Sequence, residues 1–192
     1  METHITTLCS SAYTELRRIS HIRPYLSIEA TKTLMSAFVL SRLDYCNSLL
    51  YGVPGTSLDR LQRVQNNAAK IVCRKRKYDH VTPLLQSLHW LPVRARIEYK
   101  LATLCYRATN GLAPNYLSEL LLPYEPARCL RSSEESKLTV PRVRLNNYGQ
   151  RSFSVAGPSI WNSLPKTLHE VHTIGAFKSK LKTHLFTKYF GL

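Results

Sequence analysis

The sequence predicts a mainly α-helical bundle of about five to seven helices, with a small two-stranded β-hairpin near residues 138–156. Three observations carry that expectation. Apolar residues recur every three to four positions through most of residues 1–122. Helix starts and stops are written by capping residues, prolines and glycines, and beyond residue 136 the period shortens toward two.

Ile5, Leu8, Cys9, Ala12, Leu16 and Ile19 outline a first helix over residues 4–22, which Pro24 ends. Ser27 caps a second, longer helix with Glu29 in its first turn, because its hydroxyl can accept from an orphan N–H. Leu34, Phe38 and Leu40 continue it toward residues 41–50, and Gly52-Val53-Pro54-Gly55 turns the chain. A third helix, residues 57–73, has Leu58, Leu61, Val64, Ala68, Ile71 and Val72 as its apolar face.

The next stretch, residues 79–96, is a corner. Thr82 is placed as an N-cap with Pro83 at the first helical position, and Leu84, Leu85 and Leu88 give a short apolar face. Trp90 and Leu91 follow, and Pro92 closes this helix and opens a longer one toward Asn110. That helix buries Ile97, Leu101, Leu104, Cys105 and Ala108; Gly111 suits the left-handed position after its end. Pro114 restarts a short helix ending near Leu122.

Residues 1–122 therefore read as a helical bundle, 123–136 as a linker or loop, and 137–192 as the hairpin plus a C-terminal helix. Leu138, Val140, Val143 and Leu145, then Phe153 and Val155, suggest two strands around Asn146-Asn147-Tyr148-Gly149. Pro158 and Pro165 bracket a short helical piece with Ile160, Trp161 and Leu164. Thr173 caps the last helix, with Phe177, Leu181, Leu185 and Phe186 inward and Lys178, Lys180, Lys182 and Lys188 outward.

Charge is the compositional outlier. The 192 residues carry 27 Lys+Arg against 12 Asp+Glu, a net +15, distributed as +2 over residues 1–64, +6 over 65–128 and +7 over 129–192. Such a bias repels itself unless a polyanion relieves it, which makes nucleic acid the leading partner, RNA ahead of DNA. A solvated basic surface is the bland alternative. The five cysteines, Cys9, Cys46, Cys73, Cys105 and Cys129, form no CxxC pair; the first four sit in apolar helical patterns that suit small core residues. Without a signal-like leader or a span of ~18 apolar residues, the expectation is an intracellular chain, nuclear or cytoplasmic, with no membrane partner.

No catalytic constellation stands out. The three aspartates, Asp44, Asp59 and Asp79, are isolated, whereas metal-dependent phosphoryl transfer needs converging carboxylates. Glu134 and Glu135 read as solvated linker charges. His169 and His172, or Cys73 with His80 and His89, lack zinc-site spacing, and His89 reads as a packed or capping residue. No nucleophile elbow or phosphate loop is present. The reading is therefore a non-enzyme with no catalytic residue, no metal and no cofactor.

The basic residues form four groups. Arg74, Lys75, Arg76 and Lys77 follow a helix end, more cations than dipole compensation requires. Arg94 and Arg96 open a helix, where positive charge opposes the dipole and suggests an external anion. Arg142, Arg144 and Arg151 alternate with apolar residues and would line one face of the predicted strands. Lys178, Lys180 and Lys182 lie on the last helix. All suit phosphate contact without base readout. Tyr78, Tyr124 or Tyr148 could stack on bases, against packing roles for each.

Several runs carry a family likeness: R-L-D-Y-C-N-S-L-L (42–50), L-Q-R-V-Q-N-N-A-A-K (61–70), D-H-V-T-P-L-L with L-H-W-L-P-V (79–93), G-L-A-P-N-Y-L (111–117), L-R-S-S (130–133), V-P-R (140–142), R-S-F-S-V-A-G-P-S-I-W-N-S-L-P (151–165) and F-K-S-K-L-K-T-H-L-F (177–186). Taken in order, they resemble the carboxyl-terminal thumb and post-thumb region of LINE-type, jockey-like non-LTR retrotransposon reverse transcriptases. The resemblance implies that residues 1–122 are thumb-like and that the chain grips template RNA or target DNA beside a polymerase. The aromatic-x-Asp-Asp turn of that family has no counterpart here, since no Asp-Asp pair occurs. The alternative is a protein-interaction or assembly module, or a structural remnant, partnered by a reverse transcriptase palm or by a second copy, with Trp90 and Trp161 at the interface.

Overall fold

A computed structural model describes residues 1–124, 136–144 and 149–191. The chain is mainly helical and divides into two compact units. One comprises Met1–Asn47, Val53–Arg96 and the C-terminal residues from Tyr189; the other comprises Ser48–Gly52 and Ile97–Lys188.

In the first unit, α1 (Glu2–Ile22) buries Ile5, Cys9, Ala12, Leu16 and Ile19 of the stripe its spacing predicts, with Leu8 half-buried. Arg23–Tyr25 form a 3₁₀ turn. Ser27 then caps α2 (Ile28–Met35), its Oγ accepting from the Ala30 N–H at 3.1 Å. The helical backbone continues through one wide π turn at Ser36–Leu40 into α3 (Ser41–Asp44). There the Ser41 hydroxyl donates back to the Ala37 carbonyl, a bond that competes with the regular ladder.

α4 (Gly55–Val72) lies against α1 and runs in the same direction. Glu2 accepts from Ser57 Oγ at 2.9 Å near both starts, Asn67 reaches Tyr13 Oη midway, and Arg23 meets Ile71 and Val72 at both ends. Its buried face holds Leu58, Leu61, Val64, Ala68 and Val72 as expected, and also Gln65, which is fully buried, whereas Ile71, expected on that face, is half-buried.

Gln65 explains how the corner is held. Its Nε2 donates to the Leu91 carbonyl at 2.8 Å, and its Oε1 accepts from Gln62 Nε2 at 3.0 Å. Gln62 Oε1 in turn accepts the Val93 N–H at 2.8 Å, so a side chain of α4 satisfies an orphan donor at the start of α6 (Val93–Thr109). Replacing Gln65 by Ala strands the Leu91 carbonyl and leaves a cavity; an unfolding titration should show a loss of about 2–3 kcal/mol. Between α4 and α6, α5 (Thr82–Ser87) begins one residue earlier than predicted: Val81 holds the capping position and no side-chain cap is made. Trp90 is buried in this corner.

In the second unit, the rest of α6 and α7 (Asn115–Ser118) are followed by extended segments. Here the predicted hairpin is corrected. Among the described residues there is no strand, only an isolated antiparallel bridge between Pro123 and Leu138. Phe153 and Val155, expected in the second strand, open α8 (Phe153–Asn162). Phe153, Ala156, Gly157, Ile160 and Trp161 stand at helical spacing, and that longer period prevails over the short alternation. The Asn162 side chain replaces a partner strand: it donates to the Leu138 carbonyl at 2.8 Å and accepts the Leu138 N–H at 2.9 Å. Of the predicted turn, residues 146–148 lie outside the described residues, as do residues 125–135 of the expected linker and Cys129.

Pro158 lies inside α8 and does not open it. As the sixth residue of the helix it forfeits one ladder bond, its own to the Ser154 carbonyl. Gly157 lets α8 approach α6, since a Cβ there would stand 2.9 Å from Cys105 Sγ. After α9 (Lys166–His169), α10 (Ile174–Phe190) completes a core built on Tyr106, Trp161, Phe177, Leu181 and Leu185. Tyr106 and Phe177 stack at 4.3 Å, His169 stacks on Trp161 at 4.4 Å, and Tyr106 Oη donates to the Val171 carbonyl at 2.8 Å. Short pieces such as α3, α7 and α9 carry the helix number above the expected range.

The cysteines divide by environment. Cys9 and Cys105 are buried, Cys73 is half-buried, and Cys46 is exposed, which corrects its assignment to a core pattern. It sits beyond α3 with φ +51°, where the helix has ended. Burial pushes the Cys105 thiol up to about 12. The thiolate is the nucleophile, so Cys105 should stay unalkylated in the folded protein at pH 8 and react once urea exposes it, read by mass spectrometry.

Candidate nucleic-acid interface

Parallel packing of α1 and α4 places two helix C-termini side by side. Each carries roughly half a negative charge from unsatisfied carbonyls. Arg23 is placed between them and is buried at 6% exposure. It donates from Nε to Ile71 O at 3.0 Å, from Nη2 to Val72 O at 2.8 Å and from Nη1 to Leu26 O at 2.7 Å. No carboxylate pairs with it among the described residues. Burial first, then the neighbouring Arg74, depress its pKa from the ordinary arginine value, the signature of a cation without a formal counter-charge.

The chain leaves α4 through a Schellman turn. The Arg74 N–H donates to Ile71 O at 3.3 Å and the Lys75 N–H to Lys70 O at 2.9 Å, with Arg74 left-handed at φ +51°. The same arrangement ends α5, where the His89 N–H reaches Gln86 O and Trp90 N–H reaches Leu85 O, with His89 at φ +55°. His89 is exposed and holds the left-handed capping position of that turn, the second of the two roles its sequence allows. Gly111 ends α6 at φ +69°, as its sequence position predicts. Arginine at a position that favours glycine is a local cost. Arg74→Gly removes that cost together with the long Nη2 bonds to the Arg23 and Pro24 carbonyls at 3.5 and 3.4 Å, so urea titrations should show a gain of at most about 1 kcal/mol.

Two adjoining depressions of about 280 and 440 Å³ run along the α1–α4 seam. Arg17, Lys70, Lys75 and Lys77, with Tyr13 and Asn67, line the first; Arg23, Lys70, Arg74 and Lys75, with Ser20 and Pro24, line the second. Six cations and no carboxylate thus face two helix ends worth about −1 together, so the groove stays strongly positive. The loop beyond is tied back on itself: Lys70 Nζ donates to Lys77 O, and Asp79 accepts the Arg76 N–H at 2.7 Å.

The sequence-predicted cations do not all gather here. Arg74, Lys75 and Lys77 line the groove; Arg76 is exposed but lines neither depression. Arg96 is engaged bidentately by Asp44, through Nε at 2.7 Å and through Nη2. Arg94 is exposed and lines a separate depression of about 300 Å³ with Asp59, Thr82 and Val93. In the second unit, Arg142 and Arg144 are exposed on non-strand backbone, while Arg151 donates to the Tyr51 and Leu49 carbonyls at 3.2 and 3.1 Å. The shared strand face expected for these three is therefore absent. Lys178, Lys180 and Lys182 are exposed on α10.

Sequence reasoning missed Arg17, Arg23 and Lys70. Part of the signal was present: Tyr13, Arg17 and Ser20 on α1, and Asn67, Lys70 and Ile71 on α4, recur at helical spacing. Comparison with protein-family profiles, characterised proteins and solved structures returns no match. No described helix is long and apolar enough to cross a membrane.

Proposed function

We propose that the chain is a non-catalytic, basic nucleic-acid-binding module, RNA ahead of DNA, derived from the thumb and post-thumb region of a LINE-type reverse transcriptase. The observation that carries the reading is the carboxylate-free groove between α1 and α4, where six cations line two adjoining depressions. A groove of one sign concentrates field and attracts a phosphate chain, and the family resemblance of residues 42–186 supports the same partner. Residues Arg74, Lys75 and Lys77 with Arg17 and Lys70 hold phosphates. Titrating a structured RNA with the purified chain from about 50 to 200 mM salt tests it: affinity should fall at least tenfold across the series. Salt-independent binding, or none at the low-salt end, contradicts the reading.

A second reading, an assembly module docking on a polymerase palm or on itself, is favoured by one observation. Leu112, Tyr116, Leu120, Leu122 and Tyr124 are all 45–67% exposed within one short stretch of the second unit. Trp90 and Trp161 are buried and do not serve such an interface. Concentration-dependent self-association that persists at high salt supports this reading.

A further inference from the structure

We infer that the α1–α4 groove takes single-stranded rather than duplex nucleic acid, with Tyr25 and Tyr78 as platforms on which unpaired bases stack; this rests on the nucleic-acid reading of the same groove. Tyr25 and Tyr78 are the two most exposed large apolar side chains among the described residues, each at 89%. Neither lines the groove itself, but each is the chain neighbour of a residue that does. Pro24, beside Tyr25, lines one depression, and Lys77, beside Tyr78, lines the other.

The two rings bury almost nothing against the fold, so neither contributes much to its packing. Lys77 Nζ lies 5.7 Å from the Tyr78 ring centroid, which sets a cation for the phosphate beside a face for the base. A duplex hides its base faces inside the stack and offers these rings only its backbone. An unpaired strand offers phosphates to the cations and bases to the tyrosines at once, the combination that single-strand binders use.

The test compares three probes, a single-stranded RNA oligomer, the matched RNA duplex and base-free polyphosphate, on wild type, Tyr25→Ser/Tyr78→Ser and Tyr25→Phe/Tyr78→Phe. Wild type should prefer the single strand to the duplex. The double serine variant should lose about tenfold or more in single-strand affinity, with polyphosphate binding unchanged. The double phenylalanine variant should keep single-strand affinity, since stacking uses the ring and not the hydroxyl. Equal single-strand binding by wild type and the serine variant overturns the inference while leaving the basic groove intact. A wild type that favours the duplex does the same. Failure of all three probes to bind wild type removes both the inference and the reading beneath it. Because both side chains project into solvent, the variants should fold as wild type does, which unfolding midpoints check.

Discussion

Glutamine at Lys70, Arg74, Lys75 and Lys77 together should weaken RNA binding about a hundredfold near physiological salt and flatten the salt dependence by roughly 2–3 log units per decade. The reason is counter-ion release: each phosphate neutralised frees about 0.7 of a condensed cation from a single strand, and four contacts are removed. These four side chains share the two depressions, whereas Arg76, from the same run of sequence, lines neither. Arg76→Gln alone should therefore change affinity less than Lys75→Gln alone. The comparison variant carries Lys178, Lys180 and Lys182 changed to Gln on α10, which alters net charge by a similar amount. If it loses as much affinity as the groove variant, bulk charge and not the groove is responsible. Arg74→Gly adds a useful separation, because it should stabilise the fold while lowering the salt slope by roughly 0.7.

Arg23→Met should destabilise the first unit by about 3 kcal/mol, measured by urea titration. Methionine keeps much of the volume, so the loss isolates the cation and its donors. Three carbonyls, those of Leu26, Ile71 and Val72, lose their charged partner, and hydrogen bonds to charged groups are worth about 1.5–3 kcal/mol each. Recovered desolvation of the guanidinium offsets part of that sum. Two parallel helix C-termini are also left facing each other without the charge between them. Unchanged stability would show that water replaces the guanidinium at little cost. Arg23→Lys should recover only part of the loss, since one ammonium cannot reproduce three diverging donors.

Local sequence suffices for the elements whose contacts are local. The buried stripes of α1 and α4, the Ser27 cap and the left-handed Gly111 depend on contacts within a few residues, and each stands as its spacing predicts except at the half-buried Leu8 and Ile71. Residues 138–156 show the opposite. Alternation over a few residues suggested strands, yet Phe153 and Val155 joined a helix in which Gly157 closes on α6 and Ile160 and Trp161 extend the buried face. Strand pairing needs a partner that local sequence does not specify, and the Asn162 amide took that place beside Leu138.

The cations divide in the same way. The sequence by itself determined that the chain is basic, that it is mainly helical, and that Arg74 to Lys77 stand at a helix end. Only the tertiary structure decided which charges act together. Parallel packing of α1 on α4 carried Arg17 and Arg23 to Lys70 and Arg74, some fifty residues away in the chain, while Asp44 took Arg96 and two backbone carbonyls took Arg151. Charge sums along a chain, but a site depends on distance and on which partners already hold each side chain, and both are fixed only by packing.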